Sequence, residues 1–340
     1  LGRDIGEPVL QTTINPEAQR IADSIVKQHT HLLPEHLDVA LVLVNLETSG
    51  IAALIGSSNF ADPRDGQVNG ATARRSPGSA LKPFVYAAAF EAGRLSPEAI
   101  VDDAPIDLGG WRPRNIDRLY LGKMTAAEAL RQSRNTPALR IARDLGLPTV
   151  LSMLERCGIP VSTKSERNTG LSSVVGGMEV PLVDLVSGYA TLARGGVQMP
   201  VRLLESEPQI RRRALSEQTC AAIETCLVGP TNDAALVLPF LAAKTGTSSG
   251  HRDAVAAGWN RKWAAVVWVG RFDDGGDPLL LGAEAALPIL QELLHHPMFT
   301  TVRTARTYEP WEIHRPVGCK QEKIPAILEP RDGEVLYALD

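Results

Sequence analysis

An α/β chain of the α+β kind, with an antiparallel sheet flanked by helices and an all-helical subdomain, is predicted by three observations. β-rich runs occupy 39–46 and 51–55 near the start, and 241–247, 254–258 and 263–269 in the final third. The stretch between them, 124–193, has helical spacing instead. The strand joins are short, Glu47-Thr48-Ser49-Gly50 in the first pair and Asn260-Arg261 in the last, as antiparallel hairpins require. A sheet closed from both ends of the chain around a helical insertion is the economical way to bury these faces.

Each element has its own signal. Asn15 is a side-chain cap and Pro16 suits a first helical position, so a helix opens there with Ala18, Ile21, Ala22 and Ile25 on one face. A polar loop over 57–75 follows the first hairpin. Ser79 then begins a helix through Phe84, Val85, Ala88 and Ala89 that stops near Gly93. Pro83 constrains it: a proline inside a helix presses on the carbonyl four residues back, here that of Ser79, so Ser79 belongs in the first turn. Helices are expected over 126–130, 138–145, 150–157 and 181–192, punctuated by Gly146-Leu147-Pro148, Gly158-Ile159-Pro160 and Gly195-Gly196.

Composition bounds the function. The 340 residues are 44% hydrophobic and 22% charged, enough for one large core with appendages, and the net charge of -4 argues against nucleic acid or an anionic membrane as partner. The densest basic run, Arg211-Arg212-Arg213, is flanked by Glu205, Glu207 and Glu217 and is read as a solvated loop. No window reaches the roughly 18 consecutive apolar residues that span a bilayer, and the first residues lack a signal-peptide layout. Cys157, Cys220, Cys226 and Cys319 show no zinc spacing, and His29, His31 and His36 straddle a helix end at Leu33-Pro34. Neither a metal nor a cofactor is expected. Trp259, Trp263 and Trp268 are expected to pack, His251 to follow the last motif either at the cleft or on the surface, and Trp111 and Tyr120 to border a groove.

Three short strings carry chemistry: Ser79-Ala80-Leu81-Lys82, Ser133-Arg134-Asn135 and Lys244-Thr245-Gly246-Thr247. Each alone is common; their order, each on the expected kind of element, is what points to an acyl-transfer site. A serine hydroxyl attacks a carbonyl only when a base takes its proton, and a lysine serves when burial and nearby cations lower its pKa. Ser79 is thus the candidate nucleophile and Lys82, one helical turn on, the candidate base. Lys244 is the second cation, and Ser133 a hydroxyl able to pass the proton to a leaving amine. On an edge strand, Lys244, Thr245 and Thr247 offer a cation and hydroxyls to a substrate carboxylate, and Gly246 leaves room for close approach.

With these strings in place the chain resembles the transpeptidase domain of class A penicillin-binding proteins. Further landmarks are Gln11-Thr12-Thr13-Ile14-Asn15, Arg75-Ser76-Pro77-Gly78, Pro113-Arg114-Asn115 with Asp117, Gly176-Gly177 with Glu179, and Val267-Trp268-Val269-Gly270. Gly250-His251-Arg252-Asp253 and the β-like tail look most like the penicillin-binding protein 1C branch. The resemblance runs from about residue 9 to 294 and implies the fold shared by penicillin-binding proteins and serine β-lactamases. It also implies a D,D-transpeptidase on the periplasmic face of the inner membrane, acting on peptidoglycan stem peptides and acylated by β-lactams. Asn135 would bind substrate with Thr245, Gly246 and Thr247, and the backbone N–H groups of Ser79 and Thr247 would form the oxyanion hole. Val255 departs from the tryptophan the family usually has there, which affects a packing contact but removes no catalytic group.

The expected organisation is a linker strand and helix over 1–36, the transpeptidase domain over 37–297, a proline-scattered linker over 298–326 and the start of a small β module over 327–340. A glycosyltransferase module and membrane anchor are expected upstream in the parent protein. The alternatives are a D,D-carboxypeptidase, with water as acceptor, and a non-catalytic β-lactam sensor or wall-synthesis scaffold. A class A β-lactamase would need a glutamate in an E-x-x-x-N string, and Glu166-Arg167-Asn168 has the wrong spacing.

Overall fold

The structure, a computed structural model, describes residues 10–161, 170–228 and 240–301. Glu166-Arg167-Asn168, Cys319 and the expected β module at 327–340 lie outside the described residues.

Helix α1 (Pro16–Thr30) starts where the cap signal places it, with Asn15 Oδ1 accepting from Glu17 N at 3.0 Å and Ala18 N at 2.9 Å. The strands are β1 (Asp38–Asn45), β2 (Ile51–Ile55), a small pair β3 (Ile100–Asp103) and β4 (Gly122–Thr125), a two-residue pair β5 (Val197–Gln198) and β6 (Arg212–Arg213), then β7 (Ala242–Thr247), β8 (Asp253–Trp259) and β9 (Trp263–Gly270). The main sheet is antiparallel throughout in the order β2-β1-β9-β8-β7, so the first hairpin joins the last three strands through β1 and β9. Asn260 makes the β8–β9 turn, its Oδ1 accepting from Lys262 N at 3.0 Å and Trp263 N at 2.9 Å.

Both sheet faces are buried, which is why β1 is apolar at nearly every position rather than alternating. Val39, Leu41 and Leu43 face a layer containing Ala18, Ala22, Ile25 and Val26 of α1 and Ile289, Leu290, Leu293 and Leu294 of the last helix, α8 (Leu287–His295). Helix α1, grouped with a linker on sequence, is therefore part of the packed body. Ala40, Val42 and Val44 face the helical layer. That layer is built from α2 (Lys82–Glu91), α3 (Ala126–Arg131), α4 (Asn135–Leu145), α5 (Leu147–Arg156), α6 (Leu182–Ala193) and α7 (Glu217–Val228).

One expectation needs correction. The helical stretch begins not at Met124 but at Ala126, because Gly122–Thr125 pairs with Ile100–Asp103 as a hairpin. Thr125 then caps α3 reciprocally with Glu128, so strand end and helix start share one residue. The basic run is exposed as expected, although two of its residues, Arg212 and Arg213, form β6. Cys157, Cys220 and Cys226 are buried, and Trp259 and Trp268 are wholly buried. His29 and His36 are separate: they contact Glu292 and Asp277 respectively, each at 2.7 Å.

Candidate active site

Ser79 lies in a 3-10 turn, Gly78–Leu81, that runs directly into α2, with Lys82 as the first α-helical residue and Pro83 just behind it. Pro83 has no N–H to return to Ser79 O, and the carbonyl accepts instead from Lys82 N, three residues on. The expected helix tip is thus a tighter turn set ahead of the helix.

That turn sits against the edge strand backbone to backbone. Gly78 has φ +53, and a Cβ there would come within 2.6 Å of Thr247 O and 2.7 Å of Thr247 N. A Cβ on Gly246 would collide with Pro77 O. The room that Gly246 leaves is therefore filled by the serine turn itself, and Thr247 N lies beside the residue that precedes Ser79.

The two lysines converge on the second string. Lys82 is wholly buried, and its amine donates to Ser133 O at 2.5 Å, Asn135 Oδ1 at 2.6 Å and, more loosely, Ser133 Oγ at 3.5 Å. Lys244, also buried, donates to the same Ser133 Oγ at 2.8 Å and to Thr245 O at 2.8 Å. Ser133 Oγ is shared between two amines. Ser79 and Lys82, one turn apart, are not hydrogen-bonded to each other: the Lys82 amine is directed at Ser133 and Asn135, and Ser79 lines the open cleft beside them.

The electrostatics favour neutral amines. Burial, then the cations of Lys244 and Arg134, push Lys82 well below the ordinary lysine range, against a smaller opposing pull from Asp103. Burial pushes Lys244 down to about 7. Neither ammonium has a carboxylate among its hydrogen-bond partners.

A layer that sequence reasoning missed holds Ser133 and Asn135 in place. Ser133 adopts φ +58, a left-handed conformation costly for a serine, between the end of α3 and the start of α4. The next residue, Arg134, is buried and pairs with Asp103 at 2.7 Å, with Asp117 at 2.7 Å and with Leu119 O at 2.5 Å. Asp103, fully buried, also accepts from Asn115 Nδ2 at 2.8 Å, Thr136 Oγ1 at 2.6 Å and Leu121 N at 3.1 Å. Asn115 Oδ1 accepts from Asn135 N at 2.7 Å, and Arg114 O from Asn135 Nδ2 at 2.6 Å. Asn115 and Asp117 stand out in sequence as landmarks, but their links, from Asn115 to Asn135 over 20 residues and from Asp117 to Arg134 over 17, have no periodic signal.

Ser79, Ser133, Asn135, Thr245 and Thr247 all line one cleft of about 630 Å³. Its mouth takes residues from the loop around Trp111 to Ile116, from the turn after β7 including His251, and from a π-helical turn, Gly282–Ala286, whose Gly282 N donates to Thr247 Oγ1 at 3.0 Å. Trp111 is on the cleft wall, whereas Tyr120 is not. Val255, where the family's tryptophan is missing, is buried and pairs across the sheet with Trp268, whose ring stacks on Phe272 under Arg75.

The family model of the penicillin-binding protein transpeptidase domain matches residues 39–282. The chain is 32% identical over 292 residues to penicillin-binding protein 1C of Escherichia coli (strain K12), covering 84% of this chain and 38% of that protein. It is 30% identical over 267 residues to penicillin-binding protein 1A of Neisseria flavescens, covering 70% of this chain and 32% of that one. It thus spans well under half the length of these relatives. Among solved structures, PonA1 of Mycobacterium tuberculosis in complex with penicillin V superposes with TM-score 0.73 at 23% identity, over 89% of each chain. Penicillin-binding protein 1A of Haemophilus influenzae superposes with TM-score 0.67 at 22% identity, over 77% of this chain and 48% of that one. By sequence match and by fold, this chain belongs to the penicillin-binding protein transpeptidase domain family.

Proposed function

We propose that the chain is a peptidoglycan D,D-transpeptidase working through an acyl-enzyme on Ser79. The observation that carries this reading is the Ser133 hydroxyl held between the Lys82 and Lys244 amines in the cleft that Ser79 lines. Ser79 Oγ attacks the penultimate carbonyl of a stem peptide ending in D-Ala-D-Ala, giving its proton to neutral Lys82. The proton passes through Ser133 to the departing D-alanine, whose carboxylate is held by Lys244, Thr245 and Thr247, while Asn135 holds the stem. The N–H groups of Ser79 and Thr247 stabilise the oxyanion. An amine of a second stem then adds to the ester carbonyl, forms the new amide and releases Ser79 Oγ, which recovers a proton. A β-lactam acylates the same serine. In the cell the domain works at the periplasmic face of the inner membrane, within a parent protein that carries a glycosyltransferase module and an anchor.

Ser79→Ala is expected to abolish covalent penicillin labelling in intact-mass measurements while the circular-dichroism spectrum stays unchanged; labelling that persists in the variant overturns the assignment. The same assay with a stem pentapeptide and an amine acceptor separates the acceptors. A cross-linked product marks a transpeptidase, and shortened peptide alone marks a carboxypeptidase.

A further inference from the structure

A second cavity, of about 360 Å³, opens on the helical layer and shares no lining residue with the cleft. Its sides are the end of α2 with the loop after it, strand β3, and α4. Strand β3 contributes Ile100, Val101 and Asp102, three consecutive residues, while its partner β4 contributes none. Successive side chains of a strand point to opposite faces, so a cavity that meets three in a row runs along the strand's edge, and this edge is the one turned away from β4.

That edge is open. Among the described residues β3 pairs with β4 alone, and outside that ladder no main-chain N–H or C=O of Ile100–Asp103 has a hydrogen-bond partner. In an antiparallel pair half of these groups face outward, and an unpaired row of them is a template for another strand. Helix α4 does not close the gap: Arg140 reaches the chain only beyond the strand's end, donating to Pro105 O at 2.8 Å and Ala104 O at 3.3 Å, which leaves a groove beside Ile100–Asp102.

The groove has an apolar floor and a charged rim. Leu95, Val101, Ile141 and Leu145 are half-buried along it, and Ile100 is 62% exposed at the edge itself, where soluble proteins ordinarily place a charge. At the rim Arg94 and Asp102 are exposed, and neither has an ion pair among the described residues.

We propose that this groove docks an extended segment of a partner protein, added as a third strand on the free edge of β3. Main-chain hydrogen bonds to the outward groups of Ile100–Asp103 hold the segment, an aliphatic side chain fills the floor, and one acidic and one basic side chain meet Arg94 and Asp102. Unpaired main chain and unpaired charges of both signs select a peptide over a lipid, which supplies no N–H to the edge. Because β3 ends at Asp103, which holds Arg134 beside Ser133, a bound segment reaches the layer behind the site without entering the cleft. The docking does not depend on the acyl-transfer reading.

The test is a selection of random heptapeptides on phage against the full chain, followed by fluorescence anisotropy with the synthetic winners. Enriched peptides are expected to carry an aliphatic residue flanked by an acidic and a basic one. Ile141→Glu, which puts a charge on the floor, should weaken them about tenfold, and Ile100→Glu, at an exposed position that does not endanger folding, about threefold. Circular dichroism verifies that both variants are folded. N-methylation of alternate peptide N–H groups leaves every side chain in place and removes strand pairing, so one of the two alternating patterns should also cost about tenfold. Peptides that bind both variants as tightly as the parent chain overturn the docking site, as does a selection that enriches none. A loss on the variants with indifference to both N-methylation patterns overturns the added strand. A peptide-free dimer that Ile100→Glu dissociates in sedimentation makes the occupant a second copy and overturns the partner segment.

Discussion

Two charged clusters lie side by side behind the cleft, and they are built on opposite rules. In the first, Arg134 and Asp103 are almost wholly buried and fully paired, with Asp117 closing the outer side. Burial alone would raise the Asp103 pKa, but hydrogen bonds from Thr136, Asn115, Leu121 and Arg134 overcome it and hold the carboxylate low. In the second, Lys82 and Lys244 are equally buried, share Ser133 Oγ, and have only neutral oxygens as acceptors. The paired cluster fixes geometry; the unpaired one keeps its amines close to neutral. A carboxylate beside Lys82 would hold its proton and deprive it of the capacity to act as a base. The fold thus sets a paired charge, Arg134, one residue away from the Ser133 hydroxyl that the two amines share.

The largest test of this contrast is kinetic. Lys82→Met removes the base and is expected to slow penicillin acylation about 10³-fold, measured by stopped flow, with the protein still folded; a fall of less than tenfold would point to another base. Breaking the paired cluster instead should act on stability. Arg134→Met leaves Asp103 buried without its cation and is expected to cost about 3–5 kcal/mol in urea unfolding, and Arg134→Lys should recover only part of that because an ammonium cannot reach Asp103, Asp117 and Leu119 O in the same fork.

The smallest effect is the pH dependence of stability. Lys244 is pushed down to about 7 in the folded chain and returns to its ordinary 10.5 when unfolded. Between those values the unfolded chain holds a proton that the folded chain has released, so stability rises with pH in this window. For Lys244 the gain from pH 7 to 9 is about 2 kcal/mol. The lowered pKa of Lys82 acts in the same direction. Chemical denaturation at both pH values should show the rise, reduced in Lys244→Met; a flat or falling profile would mean that these amines stay charged on folding.

Much of this arrangement was legible in the sequence because it rests on local rules. Asn15 and Pro16 mark a helix start, Gly50 and Asn260 mark turns, and apolar runs bounded by them are strands of the right length. Pro83 on its own located Ser79 at the helix tip, and the structure moves it into a 3-10 turn just ahead of the helix. What stayed hidden was not local. The β3–β4 hairpin joins strands 19 residues apart, through a loop with no pattern. The positive φ of Ser133 and the burial of Arg134 depend on Asp103, 31 residues away in sequence, which one chain read alone cannot pair with it. Glu284 lies in a turn that has five residues and π geometry, too short for periodicity to register.

The contact between Gly78 and Thr247, and that between Gly246 and Pro77, has a consequence for how such a site can diversify. Because the serine turn is seated on β7 with main chain touching main chain, no side chain is there to be exchanged, and a side chain at either glycine would push the Ser79 turn away from β7. Selection for a different donor, or against an antibiotic, has little purchase at this seam. Variation that alters entry while sparing this seam falls at the rim of the cleft, where Trp111, Ile116 and Glu284 are exposed and Leu281 is half-buried.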